Sequence, residues 1–211
     1  MTTATRHVLD VCELPNSALD HRSPIWWGNL LLLMIETTMF AIAVAAYFYL
    51  QMNFPQWPPV QSNTSPPDFH PLPALGLSIV NLVVILISCV PMVIADLAAL
   101  KCDRRVVTYG FIACIALGLV AIGIRWFEFY SIRFRWDENA YGSIVWFIVG
   151  MHFTHLIAGT CENGIMLAWM LRHGLDEKHA RDVRIGALYW YWIAAIWIIL
   201  WAIVFLSPHL F

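Results

Sequence analysis

Charge is scarce in this sequence. Only 12% of its 211 residues are Asp, Glu, Lys or Arg, about half the share of a soluble globular domain. The net charge of −2 leaves no basic footprint, so nucleic acid is not an expected partner. Five cysteines, Cys12, Cys89, Cys102, Cys114 and Cys161, form no C-x-x-C pair. Three of them fall inside apolar runs, where cysteine behaves as a small hydrophobe, and nothing resembles a disulfide framework. Residues 1–24 have no basic n-region followed by a short apolar h-region, so no cleaved signal peptide is expected. Phosphate loops, Rossmann glycine patterns and nucleophile–base arrangements are missing too.

What is there is hydrophobic length. Apolar residues make up 60% of the chain and the mean hydropathy is +0.68. Five apolar runs, about 25–50, 74–95, 106–127, 143–171 and 186–206, each exceed the roughly 20 residues that cross a bilayer. The expected fold class is an all-α polytopic membrane protein, a bundle of five transmembrane helices. Ser23 and Pro24 read as the N-cap and first residue of the first helix. Residues 51–73 carry Trp57-Pro58-Pro59 and Pro66-Pro67 and cannot be helical throughout. Nine of the 12 Lys and Arg residues lie in the tail 1–24 and in the loops around 96–105 and 172–185. The positive-inside rule then predicts an N-in, C-out chain with residues 1–24 as a cytoplasmic-side tail. Trp26, Trp27, Trp126, Trp136, Trp146 and the stretch Tyr189–Trp192 read as interfacial belts. Small residues at Gly110, Cys114 and Gly118, and at Gly164 and Ala168, read as close-packing ladders.

Against this background one carboxylate stands out. Glu36 sits about 16 Å into the first run, near the membrane midplane, where an acid costs about 2.5–3.5 kcal/mol on insertion scales. The fourth run holds His152, His155 and Glu162, with His155 and Glu162 seven residues apart on one face. His152 lies at nearly the depth of Glu36, so a Glu36–His152 pair is a candidate contact, with His155 the other choice. Arg125 and Glu128, three apart at the end of the third run, can pair as a solvated interfacial ion pair worth little. The metal options are poor. Both intramembrane histidines share one helix and cannot grip a haem from both sides. No Glu-x-x-His pair suits a di-iron site, and no three or four ligands converge for zinc.

The residues from Leu117 to Gly159 resemble subunit III of haem–copper respiratory oxidases. Leu117-Gly118, Arg125-Trp126-Phe127-Glu128-Phe129, Glu138, Tyr141-Gly142-Ser143 and Gly150-Met151-His152-Phe153-Thr154-His155-Leu156 with Gly159 follow the family's order and intervals. Glu36-Thr37-Thr38-Met39-Phe40 resembles the family's helix with a central glutamate, and the Trp57-Pro58-Pro59 loop fits after it. Tyr189-Trp190 and Trp197 match the family's Trp-rich segment in spacing. Arg125 stands where the family pattern has Gln, Tyr191 where it has His, and Ala194 where it has Asp.

The resemblance implies the family's short five-helix form and an accessory, non-catalytic subunit of a terminal oxidase that reduces oxygen to water with proton pumping. It implies partners in catalytic subunit I, which with subunit II would hold the haem and copper, and in membrane lipids. This chain would carry no metal and would bind phospholipid. Glu36, His152, His155 and Glu128 are then the expected buried contacts to lipid or neighbouring helices, with Arg125, Glu162 and Trp57 supporting them. The expected location is a bacterial inner membrane. Two alternatives are a related partner of a quinol oxidase or nitric oxide reductase, and a small free-standing transporter.

Overall fold

A computed structural model describes residues 24–59, 72–73, 75–132, 134–175 and 177–210. The expected tail lies outside these residues apart from Pro24, as does much of the Pro-rich segment. All secondary structure among the described residues is helical: α1 Pro24–Asn53, α2 Leu75–Ala99, α3 Arg104–Ser131, α4 Ala140–His173 and α5 Glu177–Trp201. After α5 the chain continues through a π-helical turn, Ala202–Leu206, into a last α turn, Ser207–Leu210. Five helical segments are long and apolar enough to cross a membrane.

Each helix runs past its apolar run because polar residues cap and extend it. Asp103 accepts hydrogen bonds from the amides of Arg105 and Val106 at 3.1 and 3.3 Å, satisfying donors that an unaided helix start leaves open. Asn139 does the same for Gly142 at 2.7 Å. At the end of α4, Gly174 takes φ +87 and its amide reaches Met170 O at 2.9 Å, a left-handed exit that glycine makes without a Cβ clash. The extension matters most in α5. Its helix opens at Glu177, so Trp190 lies about 20 Å along the axis. Trp190 is 1% exposed and donates to Ser88 Oγ at 3.0 Å. The Tyr189–Trp192 stretch is therefore no interfacial belt at a helix start, because the polar residues before it are themselves helical.

Helices α2 to α5 form a closed ring in which each packs on the next and α5 returns to α2. Paired contacts give their directions. Asn81 meets Glu128 while Ala95 faces Gly110, so α2 and α3 are antiparallel. Helix α1 lies outside this ring against α4 and α5, burying only Phe40, Ala43 and Tyr47 among its own residues.

Close approach depends on glycine at two seams. A Cβ on Gly110 would come within 2.8 Å of Ala95 Cβ and 2.9 Å of the Pro91 carbonyl. One on Gly159 would meet Ile193 Cδ1 at 2.6 Å. The α3 ladder is thus a packing seam. The expected α4 ladder is not, since Gly164 has nothing within 4 Å of its Cβ position and Ala168 is exposed. On α4 the seam falls on Gly159 and Thr160 instead, one turn earlier.

Candidate functional site

Two polar centres are built into the apolar bundle. The first joins α1 to α4. His155 Nε2 lies 2.8 Å from Glu36 Oε2, and the same ring's Nδ1 lies 2.7 Å from Met151 O. The carbonyl can only accept, so Nδ1 carries a hydrogen. Nε2 then either donates to the carboxylate or accepts from the carboxyl, and one proton serves the contact in both forms. Phe40 and Trp192 wall the imidazole with centroids at 5.1 and 5.6 Å. Trp192 also donates to Thr37 Oγ1 at 2.8 Å, fastening α5 to α1 one residue beyond Glu36. The pair is not sealed, as 22% of the Glu36 side chain and 12% of that of His155 remain exposed.

The expected Glu36–His152 pair does not form. His152, three residues earlier on α4, faces α5 instead. Its Nε2 donates to Ile193 O at 3.2 Å, and its ring stacks on Trp197 at 4.3 Å. The antiparallel register of α1 on α4 brings Tyr47 beside Tyr141 and Glu36 beside His155, while α5 covers the face that carries His152.

The second centre surrounds Arg125 and Glu128. Arg125 Nη1 lies 2.8 Å from Glu128 Oε2, with the two side chains 0% and 1% exposed. Asn81 Nδ2 donates to the same carboxylate oxygen at 3.4 Å, and the guanidinium lies 3.8 Å over the Trp197 ring. The expected solvated pair is thus a fully buried one. Its burial follows from the position of both residues on the face of α3 turned toward α2 and α5. Removing one partner of such a pair costs about 3–5 kcal/mol, because a buried charge is left uncompensated.

Trp57 and Glu162 sit apart from both centres. Trp57 donates to Tyr47 Oη at 3.0 Å and packs edge-on against Tyr141 at 5.1 Å, pinning the turn after α1 to the start of α4. Glu162 lines a cavity of about 470 Å³ between α4 and α5 with Cys161, Trp169, His179 and Asp182. A second groove of about 400 Å³, lined by Trp126, Phe129, Tyr130, Trp146 and Phe153, opens between α3 and α4.

Sequence reasoning missed Asn81 and Trp197 as members of the second centre. Asn81 did stand out as an amide inside an apolar run, but the convergence of four helices on it leaves no mark in spacing. Among the described residues no three His, Cys, Asp or Glu side chains gather as metal ligands. Both ring nitrogens of His155 and Nε2 of His152 are already engaged, so neither residue fits a haem ligand without breaking its contacts.

Comparison with known proteins gives a single direction. Residues 15–208 match the family model described as cytochrome c oxidase subunit III. Similar proteins include the cytochrome c oxidase subunit 3 of Neurospora crassa, 26% identical over 195 residues, which is 88% of this chain and 70% of that protein. The subunit 3 of Pyricularia grisea is 24% identical over 191 residues, 86% of this chain and 68% of that protein. That of Rhizopus stolonifer is 28% identical over 180 residues, 82% of this chain and 61% of that protein.

Proposed function

Because the chain belongs to the cytochrome c oxidase subunit III family, we propose that it is the non-catalytic subunit of a haem–copper oxidase that reduces oxygen to water and pumps protons. Subunits I and II of that complex hold the haem and copper and perform the redox chemistry. This chain contributes a membrane scaffold that sustains proton uptake, binds phospholipid and stabilises the assembly. The observation that carries the reading is the family match over 15–208. The Glu36–His155 pair supports it, since an acid and an imidazole share a proton contact on a face still partly open to a neighbour. The two open grooves, one wholly hydrophobic in its lining and one edged by Glu162 and Asp182, are dimensioned for acyl chains and support lipid binding. The five-helix form supports an N-in, C-out placement in a bacterial inner membrane.

The test is purification of the tagged chain from its own membranes in mild detergent. Haem absorbance, copper and oxygen consumption are expected to travel with the tag, together with phospholipid detected by mass spectrometry. A stable chain recovered alone from membranes rich in oxidase would overturn the reading.

A further inference from the structure

Five side chains near the starts of α2 and α4 and the ends of α3 and α5 are buried yet incompletely paired. Asn81, Arg125, Glu128, His152 and Trp197 are each at most 1% exposed. They touch in succession. Asn81 and Arg125 both reach Glu128 Oε2, the Arg125 guanidinium covers Trp197, and Trp197 stacks on His152. This line of contacts crosses four helices.

Six polar atoms in the line find no partner among the described residues: Arg125 Nε and Nη2, Trp197 Nε1, Glu128 Oε1, Asn81 Oδ1 and His152 Nδ1. The two arginine nitrogens and the indole nitrogen are donors, while the two oxygens are acceptors. The histidine is assigned by its other nitrogen. His152 Nε2 faces the Ile193 carbonyl at 3.2 Å and must carry the hydrogen, which leaves Nδ1 of a neutral ring as a lone pair. Three donors and three acceptors are therefore left over.

That balance selects the ligand. An anion would suit the three donors but would meet the Glu128 carboxylate. A cation would suit the three acceptors but would meet the Arg125 guanidinium. A small neutral species that both donates and accepts satisfies both halves, and water typically makes about three hydrogen bonds to otherwise unpaired buried groups. We propose that ordered water binds within the Asn81–Arg125–Glu128–Trp197–His152 cluster and bridges α2, α3, α4 and α5. The site is independent of which complex the chain serves.

The test compares two tryptophans of equal burial. Trp197 and Trp190 are 0% and 1% exposed, but the Trp190 indole is already bonded to Ser88. Brief X-ray radiolysis of the purified protein with its native partners generates hydroxyl radicals from bound water, and mass spectrometry reads the oxidation at each ring. Trp197 is expected to oxidise several-fold faster than Trp190. In the variant Asn81→Leu/Arg125→Leu/Glu128→Leu, the difference is expected to vanish. Equal rates at the two tryptophans in the native protein would overturn the proposal. So would a high-resolution map in which the six atoms close on one another, or in which a bromide-replaceable ion fills the cluster.

Discussion

His155 Nε2 and Glu36 Oε2 lie 2.8 Å apart across the α1–α4 seam, although 118 positions of chain separate them in sequence. Helix α1 buries so little of itself that this contact is a large part of what fixes its register. Replacing Glu36 by Gln keeps a donor for Nε2, so assembly and the unfolding midpoint are expected to stay near the native values. Glu36→Leu leaves the ring nitrogen unpaired and is expected to destabilise by about 1–3 kcal/mol. Equilibrium unfolding in mixed detergent micelles checks both, and a Gln variant as damaged as the Leu variant would contradict the hydrogen-bonded role.

The Arg125–Glu128 pair predicts a non-additive pattern. Arg125→Met strands a buried carboxylate and is expected to cost about 3–5 kcal/mol, whereas Arg125→Met/Glu128→Met is expected to recover much of that loss. Arg125→Gln, the residue of the family pattern, keeps a donor toward Glu128 and is expected to fall between them. Additive losses in the double variant would show that the pair does not act as a unit.

Two glycines predict opposite signs. Gly110→Ala drives a methyl against Ala95 and the Pro91 carbonyl, where backbone cannot yield easily, and is expected to cost about 1–3 kcal/mol. Gly164→Ala enters open space and is expected to stabilise by about 0.5–1 kcal/mol through helix propensity alone. Thermal scans of the two variants side by side decide the matter.

Orientation can be read at Cys102, which is exposed in the turn between α2 and α3. A single-cysteine variant retaining Cys102 is expected to react with a membrane-impermeant maleimide in inside-out vesicles and to resist it in right-side-out ones. The reverse pattern would reject the N-in, C-out proposal.

The number and approximate positions of the helices were legible because hydrophobic length is a local property. Their ends were less so. Residues 177–185 are charged enough to read as a loop, yet they form two turns of α5 and carry Trp190 into the core. The site was legible in its members and not in its pairings. Glu36, His155, Arg125 and Glu128 each announced themselves as ionisable groups in apolar surroundings. Which imidazole meets Glu36 depends on the rotation of α4 between α1 and α5, and the burial of Arg125 depends on α2 and α5 closing over α3. Neither is encoded in residue spacing along one helix.

The π-helical turn at Ala202–Leu206 carries a further consequence for the way this chain tolerates change in length. A π turn holds one residue more than the α turn it interrupts, and here it lets Val204 and Phe205 both face inward. Deleting a single residue there would restore α periodicity and swing everything beyond it by about 100° around the axis, exchanging inward for outward faces in the last turn. An equal deletion in the Pro-rich connection after α1 would rotate nothing. Length variation in this protein should therefore be harmless between α1 and α2, and forbidden at the end of α5.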